Sequence, residues 1–204
     1  MRPSFIKISL TTAALAAVVY PLWIHVQNTD WSGNSLTVSL FPLFGLIAFT
    51  ILWLHIVSGV FEPWLRRQFD FDFFVTWTSG VVLICIIVHP LLLLFALGFN
   101  LKALFGFGEL PIWLGIIGFL LLLTYDIGKL LRRKNDFFVR HWRRVLAIST
   151  LGFIFIFFHS LLLGTDIQAG ALHDLWWFYG LTGIGAAFWL YRPGRAIHTL
   201  TIHE

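Results

Sequence analysis

Long apolar runs separated by short polar loops fill the chain. The runs cover residues 6–26, 36–61, 73–98, 111 to about 125 with an extension to 131, 143–164 and 172–191. Each is close to the ~20 apolar residues that carry an α-helix across a bilayer, so the pattern predicts six membrane-spanning helices. The breaks between them are clear. Residues 27–35 are polar, Pro63 and the pair Arg66-Arg67 close the second run, and residues 99–110 are glycine-rich. Residues 165–171 are polar and lack Lys and Arg, and Pro193-Gly194 ends the last run. The first run competes with a signal peptide, because Arg2 and Lys7 flank an alanine-rich stretch from Ala13 to Ala17. It continues through Tyr20, Pro21, Leu22, Trp23 and Ile24, which is long for a signal, so a retained helix is expected. No low-complexity segment and no repeat of 20–50 residues is found. One bundle over residues 1–195 and a short tail at 196–204 are expected.

Composition narrows the class. Hydrophobic residues make up 58% of the chain and charged residues 12%, which excludes a water-soluble globular core. The reading is therefore all-α, a polytopic six-helix transmembrane bundle with the lipid membrane as its first partner. A net charge of +4 raises the question of nucleic acid, but the placement of the charges answers it. Every Lys and Arg except Lys102 falls on one side of the expected bundle, concentrated between residues 129 and 144. This is the positive-inside distribution. It predicts a plasma membrane protein of bacterial inner-membrane type with both termini cytoplasmic, and no nucleic-acid partner. The basic run itself reads as a topology signal touching anionic lipid, with a dock for a cytosolic electron-donor protein or a flavin phosphate as the other reading. The lone Cys85 lies in an apolar run and reads as a packing residue. Gly80, Gly115, Gly118, Gly152, Gly183 and Gly185 are expected to permit close helix approach.

Histidine carries the candidate chemistry. His89 and His159 both lie 16 residues into their runs (89 − 73 and 159 − 143), about 24 Å along each helix. The topology makes those two helices parallel, so the imidazoles are expected at one depth. Buried ionisable residues in a membrane are costly and point to function. Neutral imidazole is a common metal ligand, and paired axial histidines hold haem iron. Pro90 loosens the helix beside His89. His55 is expected nearer the cytoplasmic end, as a polar contact or a member of an inner cofactor site. His173 opens the last run on the outer side and is a candidate contact for a haem propionate or substrate. His25 is expected at the outer rim, and His141, His198 and His203 at the cytoplasmic surface. Asp126 and Asp166 are expected at helix ends.

These residues carry a resemblance. Gly80 followed by His89-Pro-Leu-Leu-Leu-Leu, and the stretch from His141-Trp-Arg-Arg to His159-Ser-Leu-Leu-Leu-Gly164, resemble the ferric reductase-like transmembrane domain family. The resemblance covers nearly the whole chain. It implies a b-type cytochrome with His89 and His159 as axial ligands. Two-haem members carry a second histidine on each of these helices, where this chain has Val75 or Thr76 and Val145 or Leu146. One haem b is therefore implied. Some single-haem relatives place a flavin in the inner half, and His55, Trp77 and Trp142 lie at that depth here. No dinucleotide-binding glycine loop exists in the chain, so a separate donor is implied, a flavoprotein or a quinol. The outer acceptor would be ferric iron, oxygen or a redox protein. The tail's strand-like alternation resembles the start of a fused flavin domain. Two other readings stay open: a non-catalytic anchoring subunit of a complex, and a small transporter using His55 and His89 as proton sites.

Overall fold

In the computed structural model, residues 3–32 and 35–192 are described. The tail at 196–204, with His198 and His203, lies outside them. The described chain is all-helical. Nine α-helices are found among the described residues, so the expected count of six is not reproduced. The long ones are α1 (Pro3–Asn28), α2 (Leu36–Val60), α4 (Phe71–Ala96), α6 (Glu109–Arg132), α8 (Trp142–Leu163) and α9 (Ala171–Tyr191). The first five are long and apolar enough to cross a membrane, so the chain is a multi-pass membrane protein. Helix α9 forms where expected but is not among those five. It is rich in Trp, Tyr and Gly, which lower its hydropathy without preventing its burial against α2 and α8.

Three short helices add to the expected set: α3 (Glu62–Leu65), α5 (Leu101–Phe105) and α7 (Asp136–Arg140). All lie in the linkers. Asn100 and Asn135 cap the backbone N–H groups of α5 and α7 with their side-chain oxygens, the ordinary way a short polar side chain starts a helix. Pro63 sits in the first turn of α3, where its missing N–H costs nothing.

Helix α2 packs along α4, and α6 along α8. These are two antiparallel hairpins. Their lesser contacts, α2 with α8 and α4 with α6, close a ring in the order α2, α4, α6, α8. The diagonal pair α4 and α8 is not among the principal contacts, so the two histidine-bearing helices face each other across the middle. Helices α1 and α9 pack on α2. The Tyr179 hydroxyl donates to the Ala17 carbonyl at 2.8 Å and ties α9 to α1. Phe49 is the hub of this region, stacked on Phe153 at 4.9 Å and on Trp176 at 4.3 Å. Cys85 is buried among Ala48, Val82 and Leu122, as a packing residue should be.

Glycine sets the closest approaches, though not at every expected position. A Cβ on Gly152 would lie 2.9 Å from the Gly118 carbonyl oxygen, so α6 and α8 cross on bare backbone. At Gly80 and Gly185 a Cβ would meet nothing within 4 Å, so these two do not serve close approach, which corrects that expectation. Gly180 does: its missing Cβ leaves room for the Phe157 ring. Gly180→Ala is therefore expected to destabilise the protein by about 1–3 kcal/mol, the ordinary cost of overpacking. Gly185→Ala should leave stability unchanged. Thermal unfolding of the two variants in detergent checks the contrast.

The two hairpins also correspond at an offset of 70 residues (111 − 41, 115 − 45 and 159 − 89). Each has its own linker helix, α3 or α7. Gly45 and Gly115, Phe49 and Phe119, Ser79 and Ser149, and His89 and His159 are identical pairs at that offset. The order of helices is the same in both, so the two hairpins read as a parallel repeat.

Candidate functional site

The bundle has a basic end, where Arg66, Arg67 and the residues 129–144 gather, and a far end, where α2 and α6 begin and α4 and α8 finish. His89 and His159 sit toward the far end on the facing helices α4 and α8. The structure gives them matching environments. His89 Nδ1 is 2.8 Å from the Phe41 carbonyl oxygen. His159 Nδ1 is 2.7 Å from the Pro111 carbonyl oxygen. A carbonyl only accepts, so Nδ1–H is the donor in both, which leaves Nε2 as the free lone pair. Neither Nε2 has a hydrogen-bond partner among the described residues.

Glycine makes both contacts possible. Gly45 lies one turn beyond Phe41, and a Cβ there would be 3.0 Å from His89 Nδ1. Gly115 lies one turn beyond Pro111, and a Cβ there would be 2.7 Å from both His159 Nδ1 and Cε1. Each imidazole rests in a backbone notch and reaches the carbonyl one turn back. The Phe41 ring also lies against His89, centroids 5.4 Å apart.

Among the described residues, no group of three or more His, Cys, Asp and Glu is placed to hold a bare metal ion. A haem needs no such group, because the porphyrin supplies its own equatorial nitrogens. The donor chemistry of the pair is of the kind required: an Nε2 lone pair on α4 and another on α8, each ring held through Nδ1 by a carbonyl. Orientation of a ligand imidazole by its other nitrogen is the usual outer-shell arrangement at metal sites.

The other candidates lie elsewhere. His55 lines a separate cavity toward the basic end and sits 2.6 Å, through Nε2, from the Thr78 hydroxyl. Trp142 lines this cavity, but Trp77 is 65% exposed on the outside of the bundle and cannot. Asp126 lines the same cavity from within α6, six residues before its end, rather than lying at the helix end as expected. The cavity has a volume of about 170 Å³. It is walled by all four ring helices together with Tyr191 and Leu190 of α9. Near its rim, Arg66 bridges Asp72 at 2.7 Å and Glu62 at 2.9 Å. Asp72 first, and then Glu62, hold that guanidinium above its usual range.

His173 is fixed by its Nδ1 to the Ile167 carbonyl at 2.8 Å and lies against Trp177. It makes no hydrogen bond or ring contact with His89 or His159. His25 is buried rather than solvated at a rim, with Nε2 3.2 Å from the Ser39 carbonyl oxygen, so it joins α1 to α2. Arg140, His141, Arg143 and Arg144 line an open hollow at the basic end.

Compared with protein-family models, curated proteins and solved structures, the chain finds no match.

Proposed function

We propose that the chain is a single-haem b-type cytochrome of the ferric reductase-like kind, which passes electrons toward an acceptor at the far end of the bundle. One observation carries the reading: the same histidine, carbonyl and glycine arrangement occurs twice, on facing helices, at one offset. What sets this pair apart from the other repeated positions is that each ring keeps an Nε2 lone pair with no hydrogen-bond partner among the described residues. Haem iron, when bound, supplies one-electron chemistry. The chain's part is to hold it. His89 and His159 offer Nε2, the Phe41 and Pro111 carbonyls fix the rings, and the apolar wall limits water. Val75, Thr76, Val145 and Leu146 carry no ligating atom suited to a second haem, which supports a stoichiometry of one.

In this reading α9 is a sixth span, the basic end is cytoplasmic with both termini, and the membrane is the bacterial inner membrane. The charge asymmetry supports that orientation. Electrons come from a separate flavoprotein or a quinol, and the acceptor is ferric iron, oxygen or a redox protein. The test is a dithionite-reduced minus oxidised visible spectrum of protein purified after haem-replete expression, with haem measured per chain. A b-type spectrum at about one haem per chain is expected. No haem would overturn the reading and leave the anchoring subunit in its place.

A further inference from the structure

We propose that the cavity at the basic end is a binding site for the ring of a quinone or quinol. As an electron source, such a ligand rests on the haem reading; its binding does not.

The cavity lies between the two hairpins. Its lining contains pairs related by the same 70-residue offset: Leu52 with Leu122, His55 with Tyr125, and Ser79 with Ser149. A flat group within it therefore meets aliphatic side chains and polar groups from both hairpins. The polar pair His55 and Tyr125 is complementary in its hydrogen bonding. The Thr78 hydroxyl donates to the Phe74 carbonyl at 2.6 Å, so it accepts from His55 Nε2–H. His55 Nδ1 is then an acceptor without a protein partner among the described residues. The Tyr125 hydroxyl is buried and makes no hydrogen bond of ordinary geometry, with Ser79 as a polar neighbour. One side of the cavity thus offers an acceptor and the other a donor. A quinol matches both: one O–H donates to His55 Nδ1, and the oxygen across the ring accepts from Tyr125.

Charge selects against phosphate-bearing ligands. Among the described residues no Lys or Arg lines the cavity, while Glu62, paired with Arg66, and Asp126 do. A flavin nucleotide or a phospholipid headgroup would bring its anion toward Asp126 with no cation among the described lining residues to receive it. A quinone is neutral, flat and apolar beyond its oxygens. Small-molecule sites are typically of this make, mostly apolar with a few polar groups that fix orientation. The cavity reaches Ile86, one turn before His89, so its occupant lies next to the proposed haem region.

The test uses the full chain in phosphatidylcholine nanodiscs with a short-chain azido-naphthoquinone as photoprobe. Labelling is mapped by mass spectrometry, and affinity is read by competition with unlabelled naphthoquinone. Label is expected on the peptides carrying His55 and Tyr125, suppressed by the competitor. His55→Leu and Tyr125→Phe should each weaken competition about tenfold, the loss of one good hydrogen bond. Their reduced-minus-oxidised spectra should match the parent's, which shows that they fold. Trp77→Leu, on the outer surface, should change nothing. Label confined to lipid-facing peptides, competition unaltered in both variants, or a flavin or phospholipid recovered from the cavity would each overturn the proposal. The same labelling is run on the His89→Ala, His159→Ala double variant. Label retained there supports the site independently. Label retained in a parent chain that proves to lack haem would sink the haem reading alone.

Discussion

His89→Ala and His159→Ala should each purify with less than about a tenth of the parent's haem. In the proposed cytochrome each removes one of the two protein ligands to the haem, and every 1.4 kcal/mol of lost affinity is about tenfold in occupancy. Loss of either imidazole also opens a ring-sized void against Gly45 or Gly115, positions shaped to receive that ring. Misfolding would mimic the result, so the informative addition is free imidazole. It fits the void left by His89→Ala and should restore the b-type spectrum in that variant. His55→Leu and His173→Leu should keep the parent spectrum, because neither ring touches His89 or His159. Full haem in either single alanine variant would exclude bis-histidine ligation. The transporter and anchor readings predict no spectrum in any of these proteins.

Much of the fold can be read directly from the chain. The five spans are dense in Leu, Ile, Phe and Val, and their ends are marked by Pro, Gly and charge, so α2, α4, α6 and α8 lie within a few residues of the expected runs. Helix α9 is harder. Trp176, Trp177, Tyr179, Gly180 and Gly183 make a helix that packs well but is less apolar, so its existence is legible and its relation to a membrane is not. The linker helices have readable signals in Asn100 and Asn135, yet four- and five-residue helices are below what apolar periodicity can detect.

The site is half legible. Matched spacing brings out His89 and His159. Their carbonyl partners are backbone atoms of Phe41 and Pro111, and no side-chain pattern announces them. The duplication is hidden for a related reason. Its period exceeds the 20–50 residues at which repeats are commonly sought, and few identities survive in apolar helices where Leu, Ile and Phe interchange freely. Gly80 and Gly185 mislead because a glycine's neighbours depend on helix rotation, which apolar runs that are hydrophobic all round leave undetermined. Asp126 reads as a helix-end residue because the unbroken apolar run stops at Tyr125, whereas α6 continues to Arg132.

The notch glycines supply the second large effect. Gly115→Ala puts a methyl 2.7 Å from two ring atoms of His159, closer than such carbons approach in folded proteins. The ring must move, and moving it breaks the bond from Nδ1 to the Pro111 carbonyl and tilts Nε2. Loss of an outer-shell partner typically costs about 10–100-fold in metal affinity, so haem retention should fall by about that factor. The haem that remains should show a shifted midpoint potential, since a less strongly oriented imidazole is a weaker donor to iron. Gly45→Ala meets His89 at 3.0 Å and should act in the same direction with a smaller effect. Gly80→Ala, on the same helix as His89 but with nothing near it, should leave haem content and potential unchanged. Redox titration and haem-transfer rates measured on the three variants give the ranking directly. The graded order of Gly115, then Gly45, then Gly80 is what ligand positioning requires. Equal losses in all three would mean that a general weakening of the bundle, rather than ring orientation, governs the site.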